Sequence, residues 1–268
     1  MKKALGAALT AVALASGGIL QATPAQAASV NPACQFIFLV PHQDDELLTM
    51  GAGIREHVRV HGGAAVCVVF MTTGTHSGVQ DAMKNPAYNP DGKAYNLTDA
   101  QFTAARDKES WNALVWMGVP KGNIYMNGFG SPNTGVPRIF DQNDGSNQAQ
   151  VDSWMTATMG YFRTPRHYKT MSDKTTDTGD HHAMGTALRK KVGDSRVLSA
   201  RWYAEPYRAA SVTTYNVPVP PADLPLMQKA NNSFRVWSPA SGYYRVGYRS
   251  VTNLFDAHAK SPSSFTHT

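Results

Sequence analysis

The chain has 268 residues, enough for one large domain with at most a modest extra lobe. Lys and Arg outnumber Asp and Glu by 25 to 19, a formal net charge of +6, yet the basic residues are scattered; the densest run is Arg189-Lys190-Lys191, late in an expected helix where cations suit the dipole. Such dispersion argues against a nucleic-acid partner. Two cysteines, Cys34 and Cys67, cannot build a Cys-rich zinc knuckle, so any metal must use His and carboxylate ligands.

The N-terminal stretch has Lys2 and Lys3, then an Ala/Leu/Gly-rich run that ends in Ala25-Gln26-Ala27, a small-residue cleavage pattern. Residues 1–27 therefore read as a secretory signal, and residues 28–268 as a single domain of an exported protein. No later apolar run approaches the ~20 residues of a membrane helix. In an exporting route the two cysteines can pair, although Cys67 inside "AAVCVVFM" also fits a free buried thiol.

"QFIFLV" (35–40) and "AAVCVVFM" (64–71) are apolar runs without strict alternation, as expected of parallel strands covered on both faces. The segment between them has helical spacing and closes in Gly62-Gly63, giving a βαβ unit. Thr98-x-x-Gln101 is a capping box that opens a helix over about 99–117. A short strand near 123–126, a helix over 148–162, a weak strand at 167–171, a helix from His181 and a strand over 195–204 follow. This alternation predicts an α/β fold, a Rossmann-like three-layer sandwich with a mostly parallel sheet. Segments 74–97 and 127–147 read as long loops at the strand C-terminal edge, where open α/β sheets bind ligands. "NVPVPPADLP" (216–225) reads as a Pro-rich turn, and little else is legible beyond residue 200.

The chemistry concentrates where the first strand surfaces, in "PHQDDE" (41–46). His42 and Asp45 lie three apart across a tight strand-to-helix turn, so an imidazole and a carboxylate can converge, with Asp44 left free to act on water. Alone, the string reads equally well as helix-capping acids beside an incidental histidine. "DHHAMG" (180–185) stands at a second loop-to-helix junction on the same sheet edge, and its His181 can supply the third donor that a His/carboxylate site needs. Asp180 is suited to capping that helix or bracing a ligand, and His182 should point away.

"PHQDDE" followed downstream by "DHHAMG" resembles the PIG-L/LmbE-like zinc-dependent N-deacetylases, whose signatures are [AP]HxDDE at a strand end and a later D-H-x-A-x-G. "FMTTGTHSG" (70–78) resembles the family's Thr/Gly-rich turn, and "RDKESWNALVWMG" (106–118) its R-x-x-E…LG helix. The resemblance spans roughly residues 35–190. It implies one Zn²⁺ per chain held by His42, Asp45 and His181, with Asp44 as general base. It also implies an N-acylated amino-sugar glycoconjugate of the N-acetylglucosamine type as substrate. A closer resemblance is to the deacetylases of glycopeptide antibiotics, which share the single-domain layout, with the long loops as a cap.

One departure stands out. Many relatives carry a helper histidine three residues before the ligand histidine, and here that position is Thr178. Asp44 or His182 could take its place, and His76 could also reach the pocket. Arg106 and Glu109 read either as a surface i,i+3 pair or as braces of the site, and His57 and His61 as exposed histidines far from the catalytic edge. The rival readings are a non-catalytic carbohydrate-binding protein on the same fold, which would not need Asp44, and a phosphoesterase, which would want a second metal.

Overall fold

The computed structural model of the protein describes residues 31, 33–126, 136–139, 147–174, 179–212 and 214–268. The expected signal segment 1–27, Thr178 and most of 127–147 lie outside these residues. Among the described residues, no helix is long and apolar enough to cross a membrane.

Strand β1 (Phe36–Val40) is buried along its whole length, and its alternating side chains explain the layers. Phe36, Phe38 and Val40 face one core together with Leu114, Met227 and Phe255, while Ile37 and Leu39 face another with Trp154, Met155 and Leu188. A strand that buries both faces must be covered by helices on both sides. Each large apolar side chain so enclosed contributes about 1.5–3 kcal/mol.

Around β1 lie β2 (Val66–Phe70), β3 (Ile124–Tyr125), β4 (Arg166–Met171) and β5 (Val197–Ala204), all parallel, in the order β3-β2-β1-β4-β5. Helices α1 (Asp45–Leu48) and α2 (Gly51–His61) connect β1 to β2; α3 (Gly78–Ala82) and α4 (Asp99–Trp116) connect β2 to β3. Helix α5 (Gln148–Tyr161) precedes β4, and α6 (Gly179–Arg189) joins β4 to β5. The Thr98 capping box opens α4 as expected. The α/β sandwich read from the sequence is the observed fold.

The chain after β5 extends the sheet in the other sense. Edge strand β6 (Tyr215–Pro218) and the terminal β9 (Ser263–His267) add antiparallel strands, β9 lying between β5 and β6. Between them come α7 (Leu224–Ser233), the short pair β7 (Trp237–Ser238) and β8 (Tyr243–Tyr244), α8 (Val246–Ser250) and α9 (Thr252–Lys260).

Three expectations are corrected. The first crossover is two helices, because the Asp45 carbonyl accepts from both Thr49 and Met50 N–H at 3.1 Å and the helical register slips there. Segment 74–97 holds α3, capped by the Ser77 hydroxyl, and a turn of 3₁₀ helix at Pro86–Tyr88. The Pro-rich stretch begins as strand β6, which tolerates proline because it is the sheet edge.

Candidate active site

The order β2-β1-β4 puts a switch point between β1 and β4, where chains leave the sheet in opposite directions and leave a crevice. His42, Asp44 and Asp45 follow β1, and His181 lies in the first turn of α6 after β4, so both sequence segments open onto that crevice.

The turn after β1 is held from several sides. Asp44 has φ 132° and ψ −31°, a conformation costly for a residue with a Cβ, roughly 1–3 kcal/mol. Its N–H donates to Glu46 Oε2 at 2.8 Å, and its carbonyl accepts from Leu47 and Leu48 at 3.0 and 2.9 Å, which starts α1. Buried Arg106 of α4 donates to the Gln43 carbonyl (2.6 Å), the Gly74 carbonyl (2.7 Å) and Asp44 Oδ2 (3.3 Å). Gln43 Nε2 donates to Asp107 Oδ1 at 2.8 Å, and Arg138 grips both oxygens of Asp107 at 2.7 and 2.9 Å. Gly74 has φ +67°, and a Cβ there would lie 2.2 Å from Gln43 Oε1, so the Thr/Gly-rich turn admits only glycine at this point. Gly185 is fixed for another reason: a Cβ would meet Asp173 N at 2.5 Å, where α6 crosses the end of β4.

Arg106 and Glu109 are therefore not a surface pair. Both are buried, and they act on different neighbours. Glu109 accepts from the Val246 and Gly247 N–H groups, each at 2.9 Å, and so anchors the start of α8. Helix α8 ends at Ser250, whose hydroxyl lies 3.4 Å from Asp44 Oδ2.

His42, Asp45 and His181 are buried together, each offering an atom within 4.8 Å of the others. His181 Nε2 lies 2.9 Å from Asp45 Oδ2 and 3.1 Å from His42 Nδ1, and His42 Nδ1 lies 3.4 Å from Asp45 Oδ2. The outer ring nitrogens face carboxylates: His42 Nε2 is 3.1 Å from Asp180 Oδ2, and His181 Nδ1 is 3.0 Å from Glu205 Oε1. When each outer N–H donates to its carboxylate, both imidazole lone pairs face inward beside Asp45. Two lone pairs and a carboxylate converging on one buried point repel one another unless a cation or a proton lies between them. This donor set, two imidazoles and one carboxylate, fits a zinc-class dication with positions left for a reactant.

The electrostatics carry the same imprint. Burial pushes the Asp45 carboxyl up, but the charge and hydrogen bonds of His181 and His42 outweigh it and hold the group below the ordinary carboxylate range. Burial would lower the His181 imidazole, yet Asp45 and Glu205 raise it to about 9. Burial lifts Asp44 to about 6, with Arg106 pulling it back and Asp45 adding to the rise. A carboxyl near 6 can exchange protons in both directions near neutral pH.

A cavity of about 610 Å³ opens on these residues, and His76, Ser77 and Tyr207 also line it. His182 is exposed, as expected from its place after His181. His61 is exposed, but His57 is half-buried: it donates from Nδ1 to the Gly53 carbonyl at 2.7 Å and packs edge-on against Phe36 and Phe38. Neither belongs to the site. Sequence reasoning missed Glu205, although an acid directly after a predicted strand at the ligand-binding edge was the signal. It also missed the Asp107–Arg138 pair, which carries no local pattern.

Comparison with known proteins agrees with this layout. The family model described as GlcNAc-PI de-N-acetylase, PIG-L, matches residues 37–192. A comparison with curated protein sequences gives no match. Among solved structures, a deacetylase triple mutant of the teicoplanin biosynthetic pathway superposes with a TM-score of 0.59 at 18% identity, covering 87% of this chain and 96% of that one. The A40926 pseudoaglycone deacetylase gives 0.57 at 15% identity over the same shares. A zinc-inhibited form of a teicoplanin deacetylase gives 0.53 at 17%, covering 86% and 96%.

Proposed function

The chain belongs to the PIG-L family of de-N-acetylases, and from that premise we propose that it is an exported, zinc-dependent amidohydrolase that frees the amine of an N-acetylglucosamine-type sugar on a glycoconjugate. The observation that carries this reading is the convergence of His42 Nδ1, Asp45 Oδ2 and His181 Nε2, with the Asp44 carboxyl beside them.

In this reading His42, Asp45 and His181 hold the ion. Bound there, zinc supplies Lewis acidity to the amide carbonyl and makes water easier to deprotonate. Asp44 takes the proton from the water that attacks the carbonyl carbon, and later delivers it to the nitrogen as the C–N bond breaks. Amide and water thus become carboxylate and amine, with the proton accounted for. Arg106 keeps the Asp44 carboxylate aimed, and Asp180 and Glu205 keep both imidazoles in their inward tautomers. His76, on the cavity wall, is a second group able to protonate the leaving amine in place of the helper histidine that Thr178 replaces.

The family description and the glycopeptide deacetylases among the structural neighbours support an amino-sugar substrate. The Ala25-Gln26-Ala27 pattern and the Cys34–Cys67 disulfide support export, since such bridges persist in oxidising compartments. The scattering of the basic residues along the sequence argues against a nucleic-acid partner.

The test is acetate release from N-acetylglucosaminyl substrates by the mature protein, after chelation and with zinc or cobalt restored. Because one neighbouring deacetylase is described as zinc-inhibited, zinc is titrated upward from below one equivalent. Release that disappears with chelator and returns with metal supports the reading. Protein that holds one zinc and releases nothing across an acyl-sugar panel would instead be a carbohydrate-binding relative.

A further inference from the structure

The N-terminal edge of the sheet, opposite the catalytic one, carries a second concentration of charge. Lys169 lies in β4 and is 6% exposed. Alternation puts it on the face of Met171, which is also the face of Phe36 and Phe38. In register it stands beside Phe38, yet its Nζ is nearer the Phe36 ring centroid, 5.4 Å against 5.9 Å. The side chain therefore runs back toward the N-terminal edge. There the Phe36 ring is flanked by the imidazoles of His57, His61 and His167, with centroids 4.8, 4.3 and 5.0 Å away. Arg201 of β5 is the register partner of Lys169 and shares its face. His61 and Ser199 are exposed, so water reaches this edge.

Lys169 is the informative residue. Its ammonium rests on two aromatic faces but, among the described residues, has no hydrogen-bond acceptor and no ion pair. Buried charges are normally paired and hydrogen-bonded. Burial and the Arg201 charge lower its pKa to about 8, and Glu56 is the one acid that acts against this. The neighbours register the same positive potential. Burial and then Lys169 bring His57 down to about 4 and hold His167 below its ordinary value. His57 Nδ1 donates to the Gly53 carbonyl, which leaves Nε2 to accept a proton and donate toward an incoming anion.

We propose that Lys169 and Arg201, with His57, His61 and His167 around them, form a binding site for a doubly charged oxyanion of the sulfate, phosphate or dicarboxylate class, separate from the His42–Asp45–His181 centre. The charged and titratable groups facing it are Glu56, His57 and His61 of α2, His167 and Lys169 of β4, and Arg201 and the buried, neutral Tyr203 of β5. Among these only Glu56 opposes an anion. A bound dianion favours the protonated forms of Lys169, His57 and His167, so binding takes up protons and strengthens as pH falls.

Titration calorimetry of the metal-loaded protein with sulfate tests this at constant ionic strength, with succinate as the dicarboxylate arm. Sulfate stays a dianion throughout, so any pH dependence belongs to the protein. With Lys169 titrating at about 8, roughly a quarter of it is charged at about pH 8.5, and affinity should rise at least about fourfold on moving to about pH 6. The heat should depend on the ionisation enthalpy of the buffer, as proton uptake requires. Lys169→Met, whose chain can still lie on Phe36 and Phe38, should abolish this binding and leave acetate release unchanged. Arg201→Gln, at a partly exposed position, should weaken it about fivefold. Tighter binding of sulfate assigns the tetrahedral oxyanions, and tighter binding of succinate the dicarboxylates. Wild-type affinity in Lys169→Met would place the anion elsewhere, the catalytic metal included, and overturn the proposal. Absence of saturable binding by either dianion, or an affinity equal at both pH values, would overturn it as well.

Discussion

Glu205 Oε1 lies 3.0 Å from His181 Nδ1, and this contact turns the opposite nitrogen of the ring toward Asp45 and His42. Glu205 directly follows β5, the strand beside β4, so the sheet itself sets the distance between the acid and the ring. Carboxylates that grip the outer nitrogen of a ligating histidine raise its basicity and lock its tautomer.

Glu205→Leu should therefore weaken zinc affinity by about 10- to 100-fold, while Glu205→Gln, which keeps an acceptor oxygen, should lose less. A competition titration against a chromophoric chelator reads both. Unchanged affinity in the leucine variant would show that β5 contributes nothing to the centre.

Asp44 differs from the three ligand candidates in that its side chain meets Arg106 and Ser250. Asp44→Asn should keep zinc and lose activity by about a hundred- to ten-thousand-fold, the usual span for a general base. His181→Ala should lose zinc itself. The pH profile follows from the same residue. A base must be ionised, so kcat/KM should fall with unit slope on the acid side, with a midpoint no higher than about 6, since a bound cation favours the carboxylate. Residual activity of Asp44→Asn should lack that limb. Normal turnover by this variant would remove Asp44 from the base role.

Cys34 and Cys67 are joined, closing a loop across a sequence separation of 33 residues and tying the entry to β1 to the start of β2. Restricting the unfolded chain over a loop of this length is worth about 3–4 kcal/mol. The Cys34→Ala/Cys67→Ala pair should melt roughly 10 °C below the oxidised protein. Intact-mass measurement on protein exported to an oxidising compartment should find two hydrogens fewer than the reduced chain. A free thiol count of two in that material would remove one support for export.

The parts of this protein that the sequence discloses are those where one local pattern suffices. Ile37 and Leu39 on one face and Phe36 and Phe38 on the other make an unbroken apolar run, which only a doubly covered strand explains. Thr98 and Gln101 announce α4 through a reciprocal cap that needs four residues. His42 and Asp45 could be placed at one edge because they closely follow the legible β1, and His181 because it opens a helix after the weaker strand candidate at 167–171. What stayed hidden depends on distant partners. Glu109 and Arg106 share a helical turn and look like an exposed pair, yet one anchors α8 and the other clamps the turn after β1. Strand β9 reads "SSFTH", with too little apolar alternation to announce a strand, and owes its place to pairing with β5 and β6. His258 is silent in sequence, since only packing of α9 buries it.

Glu109 links the stability of the protein to pH. Burial raises both its carboxyl and that of Glu46 from 4.5 to about 8. A carboxyl that binds its proton more tightly in the folded chain stabilises the fold fully below the unfolded value, and that contribution is lost as pH rises through about 8. The metal-free protein should accordingly lose melting temperature between pH 4.5 and about 8. Glu109→Gln stays neutral throughout and still offers an oxygen to Val246 or Gly247. Its melting temperature should decline less over that window, and the difference between the two proteins should trace the titration of this single group. Parallel curves for wild type and variant would mean that Glu109 is already ionised at the acid end of the window. The two backbone N–H bonds at the start of α8 would then have outweighed the cost of burial.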